Sequence, residues 1–198
     1  MFGCSTTNKE ILSRSETLES KPILKEKIEK KETPSWVSTG SGVSVSDNHE
    51  SKDAFFGVGE KKYIESPDKV QMDADDAARN SLIRVLGDFN KGLMRYHQAV
   101  KDPREPGWLD EEKLKTVIND TAATLLLDAK IVDHWNQSDS STSFSLARLD
   151  FKKVQTAFAS SNHLNRNEKT SMKFISKWVF KNMQLQKERK LLFKKVSE

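Results

Sequence analysis

Between residues 74 and 100 the chain places Ala74, Ala77, Ala78, Leu82, Val85, Phe89, Leu93, Tyr96 and Val100 at steps of three and four. Only an α-helix returns that spacing to one face. A helix of roughly 30 residues with a single apolar stripe must lay that stripe along a partner surface, because propensity alone does not hold it. Ser66-Pro67-Asp68 marks its start, since proline is tolerated in a first turn. Pro103 stops it. Asp73, Asp75 and Asp76 fall near the positive end of the helix, where carboxylates are favoured. Their Asp-x-Asp-Asp spacing could suit a divalent cation, but on a helix only residues three or four apart share a face. Helix-start electrostatics accounts for them, and no metal site is expected.

The remaining elements follow from shorter patterns. Ala54-Phe55-Phe56-Gly57-Val58-Gly59 is an apolar run bounded by charge, which predicts a strand. Its Gly-x-Gly lacks the third glycine of a nucleotide-binding loop, because position 62 is Lys, so the glycines mark a close approach of helix or backbone instead. Asp110 caps a second helix to about Leu126, with Leu114, Val117, Ile118, Thr121 and Leu125 on one face. Ala129 to Trp135 and Ser143 to Asp150 flank a polar, Ser-rich turn and predict a β-hairpin. Asp150 then caps a short helix carrying Phe151, Val154 and Phe158. A last long helix from about Asn165 to Lys195 carries Phe174, Trp178, Leu185, Leu192 and Val196 on one side. The order is β-α-α-β-β-α-α: an α+β fold with a small, mostly antiparallel sheet and helices packed on one face.

The front of the chain differs in kind. Residues 1–52 hold 10 Ser and 5 Thr, with 8 basic and 8 acidic residues balancing to zero. Little apolar surface is available there to offset the entropy of ordering, and Pro34 with the Gly/Ser/Thr cluster Ser38 to Ser46 reads as linker. The expected organisation is a tether over 1–52 and one folded domain over 53–198. No run of about 18 apolar residues offers a membrane-spanning helix. A lone cysteine, Cys4, excludes an internal disulfide. The four histidines are not paired at helical spacing, and no metalloprotease, phosphate-loop or serine-hydrolase signature occurs. No nucleophile and base pair is defensible from spacing, so neither an enzyme nor a cofactor is expected, and His134 in the hairpin reads as structural.

Two features point outward. Residues 163–198 hold 10 Lys/Arg against 3 Asp/Glu, and Lys169, Lys173, Lys177 and Lys181 line up at i, i+4. Such a flank suits anionic lipid, nucleic acid or an acidic partner, or it is a solvated face on a packing helix. The whole-chain charge of +4 is too small to make nucleic acid the leading reading. The second feature is Met1-Phe2-Gly3-Cys4-Ser5-Thr6-Thr7. A small residue before Cys and a Ser/Thr run after it resemble the junction at which bacterial lipoprotein signal peptides are cut, although the charged and apolar segments that precede such a junction are not in this sequence. A trimmed leader, a start codon placed late, or an incidental cysteine would each account for it.

Pro34-Ser35-Trp36-Val37, Gly40-Ser41-Gly42, Phe55-Phe56-Gly57-Val58-Gly59 and Ala74-Asp75-Asp76-Ala77-Ala78-Arg79 occur in an order that resembles the Lpp-twenty family of bacterial lipoproteins. Ile131-Val132-Asp133-His134-Trp135 and Ser145-Leu146-Ala147-Arg148-Leu149-Asp150 continue the likeness, which spans about residues 34–160. Phe144-Ser145 departs from the family's usual Tyr-Ala. The resemblance implies a non-enzymatic outer-membrane lipoprotein acylated on Cys4 and facing the periplasm or the cell surface. Its partners would be envelope proteins, flagellar ones in one branch of the family, or further copies of itself. Phe55, Phe56 and Trp135 are the expected contacts of the sheet, with the four lysines as a second surface. The alternative is a cytoplasmic protein that uses the basic last helix on nucleic acid or another anionic surface.

Overall fold

The computed structural model describes residues 32–44, 53–62, 67–100, 107–137 and 141–197. Cys4 and most of the expected tether lie outside the described residues. The elements are α1 (Ser35–Thr39), β1 (Gly42–Val43), β2 (Ala54–Lys62), α2 (Pro67–Ala99), α3 (Glu111–Asp128), β3 (Lys130–Gln137), β4 (Thr142–Asp150), α4 (Phe151–Ser160) and α5 (Arg166–Ser197). The four strands form one antiparallel sheet in the order β1-β2-β4-β3. This is the expected α+β class and element order, with α1 and β1 added in front.

Those two additions correct the linker reading over Ser38–Ser46 in its described part. Gly42 and Val43 pair with Phe56 and Phe55, and Val43 is buried. Ser41 Oγ accepts a hydrogen bond from the Val58 amide at 2.8 Å, while Trp36 Nε1 donates to Asp133 Oδ2 on the opposite edge strand at 2.8 Å. The folded unit accordingly begins at Glu32 rather than residue 53. Composition misjudged this stretch because its ordering depends on a sheet edge and on one indole, not on its own apolar content.

Strand alternation divides the sheet into two faces. Phe55, Gly57 and Gly59 of β2 lie opposite Leu149, Ala147 and Ser145 of β4. That face receives α2: a Cβ on Gly57 would stand 2.2 Å from the Ala78 carbonyl oxygen, and one on Gly59 would stand 2.1 Å from that of Ala74. The close approach inferred for these glycines is therefore present, and α2 rides directly on the strand backbone. Behind it, Phe55 meets Phe89 and Phe180 edge-on at 5.2 and 5.1 Å, and Phe151 stacks on Phe180 at 4.3 Å. This aromatic knot fastens β2, α2, α4 and α5 together.

Of the two aspartate caps expected from the sequence, Asp110 and Asp150, the structure makes one. Asp110 Oδ1 accepts from the Lys113 amide at 2.8 Å, the expected cap on α3. Asp150 occupies the cap position of α4 without capping it. Its carboxylate accepts instead from Arg148 Nε at 2.8 Å, and the Phe151 amide is taken by the Asp53 carbonyl at 2.9 Å. At α5, Asn165 and Glu168 exchange backbone-to-side-chain bonds at 2.7 and 3.0 Å, a reciprocal box that satisfies two orphan donors. Lys113 Nζ reaches both Glu168 carboxylate oxygens at 2.6 and 2.8 Å and ties α3 to that end.

Candidate functional site

Two groups of side chains could carry chemistry. The first lies where α2 crosses the hairpin. His134 and Ser145 are cross-strand partners, and Asp75 of α2 drops onto both: its Oδ1 accepts from Ser145 Oγ at 2.6 Å and sits 2.8 Å from His134 Nε2. Gln71 Nε2 donates to Ser145 Oγ at 2.9 Å, and Ser143 Oγ lies 2.5 Å from Asn136 Oδ1. Burial pushes the Asp75 carboxyl up, but the bonds from Ser145, His134 and Gln71 with the imidazole charge more than offset it, so the group titrates below the ordinary carboxylate range.

Serine, histidine and aspartate together invite a hydrolase reading, which the geometry does not favour. The hydroxyl and the imidazole are both directed at one carboxylate oxygen, so the imidazole does not stand between nucleophile and acid as proton relay requires. Asp75, held ionised, is a weak base for a serine proton. The cluster is an α2-to-hairpin clamp. Sequence reasoning explained Asp75 by the helix dipole alone and did not bring Ser145 to His134, because pairing across the hairpin depends on strand register. Among the described residues no group of three metal-ligating side chains converges.

The second group lines a groove of about 860 Å³ between α2, α5 and the 39–43 segment, within the range of small-ligand and peptide sites. Tyr96 and Trp178 pack with ring centroids 4.8 Å apart at one part of its wall, with Val179 and Met183 beneath. Lys91, Arg95, Lys187 and Lys190 supply cations against a single acid, Asp88. Lys91 Nζ is paired to that acid at 3.2 Å. Lys187 is the most enclosed of the four: its Nζ donates to the Gly40 and Ser41 carbonyls at 2.9 and 3.0 Å. Burial lowers its ammonium from 10.5 to about 8.

That shift has a sign that can be tested. Between pH 8 and 10.5 the unfolded chain still holds a proton that folded Lys187 has released, so this residue makes stability rise with pH across that window. Denaturation midpoints of the unaltered chain, measured against Lys187→Met through the same window, should converge at the low-pH end less well than at the high-pH end. An identical pH profile for the two chains would show that Lys187 is solvated.

Of the residues named from sequence, Phe55 is wholly buried and Trp135 is 6% exposed, which corrects both as ready contacts for a partner. Phe55 faces the helices, and Trp135 packs on Phe144 at 5.4 Å on the other side of the sheet. Phe56 shares that outer face, half-buried under the Arg148 guanidinium at 5.7 Å. Lys173, Lys177 and Lys181 are exposed on α5, and Lys169 is half-buried. Of the groove residues, Tyr96 enters the sequence reading only on the apolar stripe of α2, and Arg95, Lys187 and Lys190 have no place in it. The only sequence signal for them was an excess of cations on helices whose crossing no local pattern specifies.

No protein-family model matches the chain, and a search of curated proteins finds no match.

Proposed function

We propose that this chain is a non-enzymatic interaction module of a bacterial envelope, held at a membrane through Cys4 and binding a protein partner in the α2–α5 groove. The groove is the observation that carries the reading: an aromatic wall beside Arg95, Lys187 and Lys190, none of which meets a carboxylate among the described residues, suits a segment that is both apolar and acidic. The Asp75 clamp supports the non-enzymatic part, since its serine and histidine are committed to one carboxylate oxygen. The junction at Cys4 and the family likeness support the reading of a membrane attachment, for which two or more acyl chains would be sufficient. The exposed lysines of α5 favour an anionic contact as well, which the alternative cytoplasmic reading shares.

The mass of the N-terminal peptide, from protein made at its native locus with upstream DNA intact, tests the attachment. A peptide starting at Cys4 and carrying acyl chains is expected; an unmodified peptide starting at Met1 would end the envelope reading. In the same cells, Arg95→Glu with Lys190→Glu should leave acylation intact and abolish crosslinking to envelope partners. Unchanged crosslinking would remove the groove from the proposal.

A further inference from the structure

The apolar residues that α5 shows in its sequence are not the ones it buries. At about 100° per residue, Phe174, Trp178, Leu185, Leu192 and Val196 fall within a sector of roughly 40°. Met172, Ser176, Val179, Phe180 and Gln184, all buried, lie on the opposite side of the helix. The first set is exposed by 62, 48, 51, 63 and 87% respectively. The helix therefore carries two apolar stripes, one in the core and one open to solvent along about 33 Å, with Trp178 at the edge of the groove and packed on Tyr96. A helix on the surface of a globular domain ordinarily presents charge on that side.

Charge decides what the outer stripe fits. Helix α5 holds ten Lys/Arg and two Asp/Glu, and Lys173, Lys177 and Lys181 climb along the edge of the stripe in exposed positions. Packing the stripe against a second copy would bring one set of lysines against another, which is unfavourable. A nucleic-acid surface would use the lysines and leave the leucines, Phe174 and Val196 without a role. A bilayer surface with anionic headgroups uses both: apolar side chains enter the headgroup boundary, an indole sits at the interface, and lysines meet the lipid charge.

We infer that α5 lies along an anionic lipid surface through Phe174, Trp178, Leu185, Leu192 and Val196, placing the domain flat on the membrane. This contact goes beyond the Cys4 attachment and does not require it. It is tested with the full chain carrying Cys4→Ser, so that no acyl group contributes and the two ideas fail separately.

Vesicles of equimolar phosphatidylcholine and phosphatidylglycerol should bind this chain and shift its indole emission to the blue, a shift lost in Trp178→Phe. Vesicles of phosphatidylcholine alone should bind at least about tenfold more weakly. Leu185→Gln with Leu192→Gln, at positions too exposed to threaten the fold, should weaken binding to the anionic vesicles about tenfold. Lys173, Lys177 and Lys181 changed together to Gln should weaken it similarly and flatten its salt dependence. The inference is overturned if the Cys4→Ser chain ignores anionic vesicles at low salt, or if adding the leucine pair to it makes no difference. It is equally overturned if the leucine pair instead dissociates a dimer, or if a DNA duplex competes all protein away from the vesicles.

Discussion

Alanine at Gly59 is expected to lower the unfolding free energy by about 3 kcal/mol, at the upper end of what overpacking usually costs. The added Cβ would lie 2.1 Å from the Ala74 carbonyl oxygen and 2.3 Å from the Ala78 amide nitrogen. Both are backbone atoms of α2, so no side-chain rotation relieves the clash. Helix and strand must separate, and separation opens the contacts of Ala74, Ala78 and Leu82, each fully buried. Gly57→Ala should behave the same way, against the Ala78 carbonyl and the Leu82 amide at 2.2 and 2.4 Å. The double variant should cost less than the sum, because the first alanine already lifts the helix off the strand. Chemical denaturation followed by circular dichroism reads this directly. A loss below about 1 kcal/mol at both positions would mean that α2 does not ride on the strand as closely as described.

Phe55→Ala should cost about 3–5 kcal/mol, the range for removing a large aromatic from a packed core. The ring has no solvent exposure and touches Phe89, Phe151 and Phe180 with centroids at 5.2, 6.1 and 5.1 Å. Four elements meet at those rings, so the cavity cannot collapse without moving a helix. Since whole domains are stable by only about 5–15 kcal/mol, the variant should unfold at much lower denaturant concentration. Phe55→Leu, which keeps most of the volume, should lose less than half as much. A mild effect of alanine, with binding lost but the fold intact, would return Phe55 to the role of a partner contact.

The two variants probe different kinds of information. The glycines were legible as points of close approach, because a Gly-x-Gly inside an apolar strand gives up side-chain packing that something else must supply. The helix that takes their place was legible too, from Ala74, Ala78 and Leu82 at steps of four. Phe55 was legible only as apolar. Whether a strand phenylalanine faces helices or a partner depends on which side of the sheet is covered, and alternation alone leaves both sides open. Trp135 shows the same gap: its strand was evident, but not that it would lie buried beside Phe144.

What the sequence determined by itself is the set of elements and their order. Helix periodicity, proline stops, Asp110 and the turn between the hairpin strands act within a few residues, through backbone sterics and local hydrogen bonds. They set α2, α3, the hairpin, α4 and α5 nearly in their observed bounds. Tertiary structure decided everything that compares distant segments. It recruited Gly42 and Val43 to the sheet edge, brought Asp75 to His134 and Ser145, and drew Lys187 under the Gly40 and Ser41 carbonyls. It also chose between the two apolar stripes of α5. That choice went to the side on which Val179 fits against Gly92 and Phe180 enters the aromatic knot, because burial is decided by the shape of what lies opposite and not by hydrophobicity alone. The stripe left outside is the one whose heptad steps were plainest in the sequence.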